Sequence, residues 1–346
     1  MPNIRKISFL VILFLLSFAF LMAENETGGS RGESRYSLSL NPVTGVLIGK
    51  TEEHLFKYDY NDQYVSQLIW NLKPLVYTGI EVFFGPGEPF IKSGFITAAS
   101  LKFGLPLKTG IIEDRDWQDD NFDYLTNYSR HDSYAQNTIL ADVSAGYSWH
   151  IRDFLTIGAF AEFSYMYFSF MAENGYFQYA ADNTPLDIYD SSYDEWDESI
   201  PKISASGAVI RYIQNWFILS PGLSLKGRLG KYFSLEGCIK YSPIIYCSDR
   251  DDHLWVDKYG FGKLFYGYYY FGHHINGTAG LGFSPKKNLE LSLSLSYRHI
   301  MGMRNKSYYI KTGAGTGTIT YSNYDGGVGY SAFDLKLGAK IRLYGR

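Results

Sequence analysis

Cysteine is scarce in this sequence: two residues in 346, with no Cys-x-x-Cys pair. Cys238 and Cys247 fall in one expected strand, nine residues and therefore ~30 Å apart when extended. A disulfide needs Cα atoms within roughly 7 Å, so separate thiols are expected. Basic charge is not in excess: 32 Lys and Arg stand against 35 Asp and Glu, which argues against nucleic acid as a partner. Long apolar runs are missing except at the start, where Arg5 and Lys6 precede the run Ile7 to Met22. With Ala23 and the polar tract ENETGGSRGES behind it, this start reads as a secretory signal peptide, residues 1–23, cut after Ala23. No second apolar run supports a retained anchor, and no cysteine near the cut supports a lipoprotein. The remainder, 24–346, is expected to form one domain and has no stretch long enough for a transmembrane helix. Familiar hydrolase signatures are absent: there is no Gly-x-Ser-x-Gly and no His-Glu-x-x-His. The run GAGTGT (313–318) lacks the strand–turn–helix context of a phosphate loop.

Aromatic residues and glycine, by contrast, are plentiful, with 31 Tyr, 24 Phe and 35 Gly. In an exported chain without apolar helices this composition points to a β-barrel in an outer membrane; a secreted β-sandwich is the soluble alternative. The run NLELSLSLSYRH (288–299) alternates strictly. Leu289, Leu291, Leu293, Leu295 and Tyr297 share one face, and Glu290, Ser292, Ser294, Ser296 and Arg298 the other. Phe333 to Leu343 repeats the pattern. Period two with an oily and a wet side is a strand, and in a barrel the wet side faces the lumen.

Short breaks near 150–154, 227–232 and 284–288 alternate with long polar excursions near 110–137, 173–204, 250–265 and 305–327. Ten strands are expected, roughly 35–57, 63–84, 90–109, 137–150, 154–172, 205–226, 231–250, 266–284, 288–304 and 328–344. The fold class is therefore all-β: a ten-stranded antiparallel transmembrane β-barrel extending above the membrane, with long extracellular loops and short periplasmic turns. The run Phe233 to Asp249 would span ~55 Å, whereas ~9–11 residues cross a bilayer. The acidic segments thus belong at an extracellular rim. Strict alternation from Leu235 and Ile239 would turn Asp249 and Asp251 toward lipid, so a bulge is expected at Pro243.

Two acidic clusters carry the candidate chemistry. In EDRDWQDDNFDY (113–124), Asp114 and Asp116 are two apart and point the same way in extended chain. In SDRDDHLW (248–255), Asp249, Asp251 and His253 do the same. A histidine beside a carboxylate is a usable base near neutral pH. Taken alone, the first cluster reads first as a solvated or calcium-binding loop; its pairing with the second cluster turns the reading toward catalysis. The segment 182–199, with seven acids and no base, would either steer cationic peptides or serve only as a solvated loop.

These residues resemble the omptins, outer-membrane endopeptidases built as ten-stranded barrels, over nearly the whole mature length. Asp114, Asp116 and Trp117, then Asp119 and Asn121, then Ser129-Arg130-His131 match one family pattern. Asp249, Asp251, Asp252 and His253 match a second, and Gly49, Lys50, Thr51 and Glu53 a third. Val65 to Trp70 match a fourth, with Ile69 where the family usually has an acid. The resemblance implies that Asp251 and His253 activate a water, that Asp114 and Asp116 hold it, and that Glu53 and Asp249 select Arg or Lys before the cut. Cleavage at basic, dibasic sites of cationic peptides or host proteins would follow, without a covalent intermediate, a metal or another cofactor. It further implies a monomer in outer-membrane lipid with its site facing outside. The family's basic lipopolysaccharide clamp is matched by Tyr167 and Asn215, which argues against lipopolysaccharide dependence. Tyr344 is followed by Gly345 and Arg346, whereas many such barrels end in an aromatic residue. The rival reading is a non-enzymatic adhesin or cation-binding barrel; a porin is disfavoured because side chains can fill so small a barrel.

Overall fold

The structure, a computed structural model, describes residues 36–57, 63–87, 90–119, 121–179, 194–257, 263–311 and 319–343. The expected signal peptide, most of the acidic segment 182–199, the run GAGTGT and Tyr344 to Arg346 lie outside the described residues.

The chain folds into strands β1 (Tyr36–Lys57), β2 (Tyr64–Pro86), β3 (Gly94–Gly104), β4 (Lys108–Asp116), β5 (Asn127–Arg152), β6 (Leu155–Tyr179), β7 (Ile203–Ser204), β8 (Ala208–Leu229), β9 (Phe233–Ser242) and β10 (Ile245–His253). A short helix α1 (Leu254–Asp257) follows, then β11 (Lys263–Tyr270), β12 (His273–Lys286), β13 (Leu289–Lys311) and β14 (Ile319–Leu343). All pairings are antiparallel, and β1 pairs with both β2 and β14, which closes the sheet. Four interrupted strands, β3 with β4, β7 with β8, β9 with β10 and β11 with β12, each occupy one place, so among the described residues the ring has ten strands.

Alternation decides which side is which. Leu291, Leu293, Leu295, Phe333, Leu335 and Leu337 are exposed on the outside, where a barrel of this kind meets lipid. The polar partners point into the lumen and pair there: Lys336 lies 2.5 Å from Glu81, Lys240 2.5 Å from Glu162, and Lys102 3.8 Å from Asp142. These charges line a cavity of about 330 Å³.

Above that cavity the lumen closes on rings. Trp70 of β2 stacks on Phe170 of β6 and on Tyr212 of β8, both at 5.5 Å, and Phe168 stacks on Tyr330 of β14 at 5.7 Å. Burying each such ring contributes about 1.5–3 kcal/mol, so this plug ties opposite walls together and gives the space above it a rigid floor.

Several strands run farther than the sequence indicated. The expected excursions near 110–137 and 305–327 are largely strand, because β4 reaches Asp116, β5 starts at Asn127, β13 reaches Lys311 and β14 starts at Ile319. Strands of 22 to 26 residues exceed the ~9–11 that cross a bilayer. The lipid-facing apolar residues of β9 and its bulge end at Ile244, and β10 carries Asp249 to His253 beyond them.

The expected irregularity at Pro243 is present. Lys240 pairs with Gly222 while Ile245 pairs with Ile218, so one extra residue sits opposite β8. Leu235 and Ile239 point outward, whereas Asp249 and Asp251 are 5% and 3% exposed inside. The Ser242 hydroxyl donates to the Leu219 carbonyl at 2.5 Å and accepts from the Ile244 N–H at 2.9 Å. This satisfies backbone groups that a bulge leaves unpaired. Cys238 and Cys247 are free thiols.

Candidate active site

Register places the first acidic pair. Ser66 pairs with Asp116 and Leu68 with Asp114, while Leu68 also pairs with Glu53 of β1. Residues directly opposite in a ladder share a face, so Glu53, Leu68 and Asp114 form one inward row. Glu113 takes the other face, where the Tyr128 hydroxyl donates to it at 2.8 Å. Asp119 closes the hairpin, accepting the N–H groups of Asn121 and Asp123 at 3.2 and 3.1 Å. Four acids of the stretch thus divide into two inward carboxylates, one outer partner and one loop staple.

On the facing wall, β10 presents Asp249, Asp251 and His253 inward. His253 Nε2 lies 2.5 Å from Asp251 Oδ2, and Asp251 is nearly inaccessible while the imidazole is about a third exposed. The carboxylate thus anchors a ring that opens onto the cleft. Burial disfavours the His253 cation, but the Asp251 carboxylate, then Asp114 and Asp116, outweigh it and lift its pKa to about 9. Burial pushes Asp114 well above the usual carboxylate range, with the neighbouring Asp116 charge adding to it. Burial also raises Asp116, to about 6, against the hydrogen bond from Ser66 and the attraction of His253.

A second group of acids lies beside this centre. Burial raises the Glu53 pKa strongly, and the charges of Asp249, Asp251 and Asp114 raise it further. Asp249 is lifted to about 7, mainly by burial, while its hydrogen bond from Tyr212 pulls it down. Three buried carboxylate oxygens, Glu53 Oε2, Asp114 Oδ1 and Asp251 Oδ1, have no hydrogen-bond partner among the described residues. Buried acceptors are normally satisfied, so a site with three orphans is built to receive donors: a cation, a water or a peptide N–H.

All six residues expected from the sequence come together here. Sequence reasoning did not find the scaffold behind them. Gln214 Oε1 accepts from Thr51 at 2.5 Å and from Trp216 Nε1 at 3.2 Å. Its amide donates to Tyr212 Oη at 2.7 Å, and Tyr212 donates to Asp249 Oδ2 at 3.0 Å. Gly267 pairs with Asp249, and a Cβ there would collide with the Tyr269 ring and with Asp249. Inward alternation on β8 could have nominated Tyr212 and Gln214; their contact with Thr51 depends on ring closure. His131 is 1% exposed and sits 3.1 Å from Ser129 Oγ beside Asp114.

Fold and site together define an outer-membrane β-barrel with a carboxylate–histidine centre at its mouth. A model of the omptin family matches residues 34–343. The chain belongs to the omptin family, the outer-membrane proteases that its motifs resemble. Among solved structures it is similar to the outer membrane protease OmpT from Escherichia coli, at 19% identity and a TM-score of 0.75, covering 91% of this chain and 99% of that one. This likeness fixes the fold. The outer membrane protein OprG from Pseudomonas aeruginosa, at 8% identity, covers 91% of this chain and 99% of that one with a TM-score of only 0.36. The translocator domain of the autotransporter NalP from Neisseria meningitidis, at 9% identity, covers 98% of each chain with a TM-score of only 0.34. No curated protein sequence matches the chain.

Proposed function

We propose that this barrel is an endopeptidase that cleaves after Arg or Lys, using water activated by Asp251 and His253. The observation that carries the reading is the 2.5 Å Asp251–His253 pair facing Asp114 and Asp116, with the orphaned Glu53 oxygen alongside.

In this mechanism His253 takes a proton from water as the oxygen attacks the scissile carbonyl. Asp251 orients the ring and balances the imidazolium that forms. Asp114 and Asp116 share a proton, as close carboxylates do. Asp116 accepts from the water, and the protonated Asp114 donates to the oxygen that becomes an oxyanion. The C–N bond then breaks, His253 returns its proton to the leaving amine, and no bond to the enzyme forms. Glu53 and Asp249 accept charge-assisted hydrogen bonds from the guanidinium or ammonium of the residue before the cut. That cation also relieves the repulsion among the buried acids.

Lipid dependence is part of the same proposal. Tyr167 and Asn215 are direct neighbours across β6 and β8, and Asn215 Oδ1 accepts from Tyr165 at 3.1 Å. Neither is a cation for a lipid phosphate, so activity should not require lipopolysaccharide. The test is cleavage of quenched peptides carrying Arg-Arg or Ala-Ala by the folded barrel in detergent without lipopolysaccharide, repeated with His253→Ala. Cleavage confined to the Arg peptide and lost in the variant supports the reading. A folded barrel that cuts neither, even with lipopolysaccharide added, favours the adhesin.

A further inference from the structure

We propose that the cleft contains a second, uncharged subsite, which takes a bulky apolar side chain on the residue after the scissile bond. This rests on the protease reading above and narrows it: a basic residue is wanted before the cut, and no second one after it.

The argument starts from the order of strands around the ring. Between β4, with Asp114 and Asp116, and β10, with Asp251 and His253, the ring has two arcs. The arc through β2, β1, β14, β13 and β11 holds Glu53, while Asp249 of β10 stands at its edge, paired with Gly267 of β11 and bonded by Tyr212 of β8. The arc through β5, β6 and β8 faces it. An extended peptide sends successive side chains to opposite sides. If the residue before the cut enters the arc of Glu53, the next one enters the arc of β5, β6 and β8.

The part of that second arc above Tyr212 is largely apolar on β6 and β8. Phe177, Ala205, Val209 and Ile210 are buried in it, and Tyr179 and Trp255 pack against them while remaining partly open. The Phe177 ring lies 5.6 Å from Tyr179 and 6.0 Å from Trp255. Phe177 pairs with Ser129, which pairs with Asp114, and Ile210 pairs with His253. The wall therefore begins directly beside both halves of the catalytic centre. Its polar members on β5 are Ser129 and His131, which lie 3.1 Å apart, and Asn127, which pairs with Asp116, is 3% exposed, and has its Oδ1 buried without a hydrogen-bond partner among the described residues. A backbone N–H of a bound peptide is the donor it lacks.

A long basic side chain here would meet ring faces and neutral polar groups, next to the His253 cation, and the nearest carboxylates, Asp114 and Asp116, are those that hold the water. Weak cation–π contact does not replace its hydration. A bulky apolar chain loses nothing of that kind and gains burial.

The test compares kcat/KM for Arg-Phe, Arg-Leu, Arg-Ala and Arg-Arg peptides with the folded barrel in detergent. Arg-Phe and Arg-Leu should exceed Arg-Arg by about tenfold or more, the scale on which an apolar pocket discriminates. Tyr179→Ala should lower the Arg-Phe to Arg-Ala ratio several-fold, and Tyr179→Phe should keep it. Phe177→Leu, which keeps an apolar core side chain, is the second probe and should shift preference from Phe toward Leu. Arg-Arg as the best substrate, or a ratio that neither position changes, would overturn the subsite while leaving the protease reading intact. If none of the four peptides is cut, the protease reading itself fails and the subsite falls with it.

Discussion

Thr51 of β1 donates a 2.5 Å hydrogen bond across the lumen to Gln214 of β8, 163 residues away in sequence. Through Gln214 and Tyr212 that bond reaches Asp249, the carboxylate proposed to select the residue before the cut. Thr51→Val keeps the shape and removes the donor. Gln214 Oε1 keeps its bond from Trp216, so the loss is that of one net hydrogen bond, about 0.5–1.5 kcal/mol. The expected result is a KM for an Arg peptide raised about fivefold to tenfold with kcat little changed. An equal loss in kcat and kcat/KM would instead assign Thr51 to the transition state.

The dyad makes a sharper demand. His253→Ala removes the base and Asp251→Asn leaves the ring without its counter-charge. General base catalysis is worth about 10²–10⁴-fold, and each variant should lose activity on that scale. Combining them should cost little more than either alone, because the two act as one unit. Additive losses in the double variant would mean that they act separately.

The raised carboxylates predict a pH profile. Below about 7 Asp249 is protonated and an Arg substrate loses part of its charge complement, so kcat/KM for Arg peptides should fall as pH drops through that value. His253 is a cation below about 9, so kcat/KM should keep rising toward that pH, since this ratio reports the free enzyme's groups. A peptide with citrulline in place of Arg should show the upper rise and lack the part due to Asp249. Identical profiles for the two peptides would contradict the assignment.

The same acids cost stability. A carboxyl whose folded pKa lies above its unfolded value binds protons on folding, so stability falls as pH climbs from about 4 to the folded pKa and stays reduced above it. For Asp249 that window runs up to about 7. Asp249→Asn keeps an acceptor for Tyr212 and removes the charge. At pH 8 it should unfold at higher temperature than the parent, by about 1–2 kcal/mol, and at pH 4 the advantage should vanish. A variant less stable at both pH values would show that the charge is not the strained element.

The alternation of Leu289 to Tyr297 and of Phe333 to Leu343 made the strands legible, and short breaks alternating with long polar excursions favoured a membrane barrel over a sandwich. The candidate acids were legible through motif spacing, and the Pro243 bulge through the parity conflict it resolves. The full height of the wall was not. Segments such as Asn127 to Asp132 look like polar loop, since above the membrane both faces of a strand can be polar. The scaffold of Thr51, Gln214 and Tyr212 was hidden for another reason: its partners meet only when β1 and β8 face each other across a closed ring. No local pattern encodes that meeting.

The most direct measurement is the kcat/KM ratio of an Arg peptide to its citrulline twin, for the parent barrel and for Glu53→Gln. The two side chains match in shape and differ in charge, so the ratio isolates the carboxylate pocket. Charge-assisted hydrogen bonds worth about 1.5–3 kcal/mol predict a ratio of at least about tenfold in the parent, falling several-fold in the variant, where Asp249 remains. A parent ratio near one, with both peptides cut, would contradict the account at its centre.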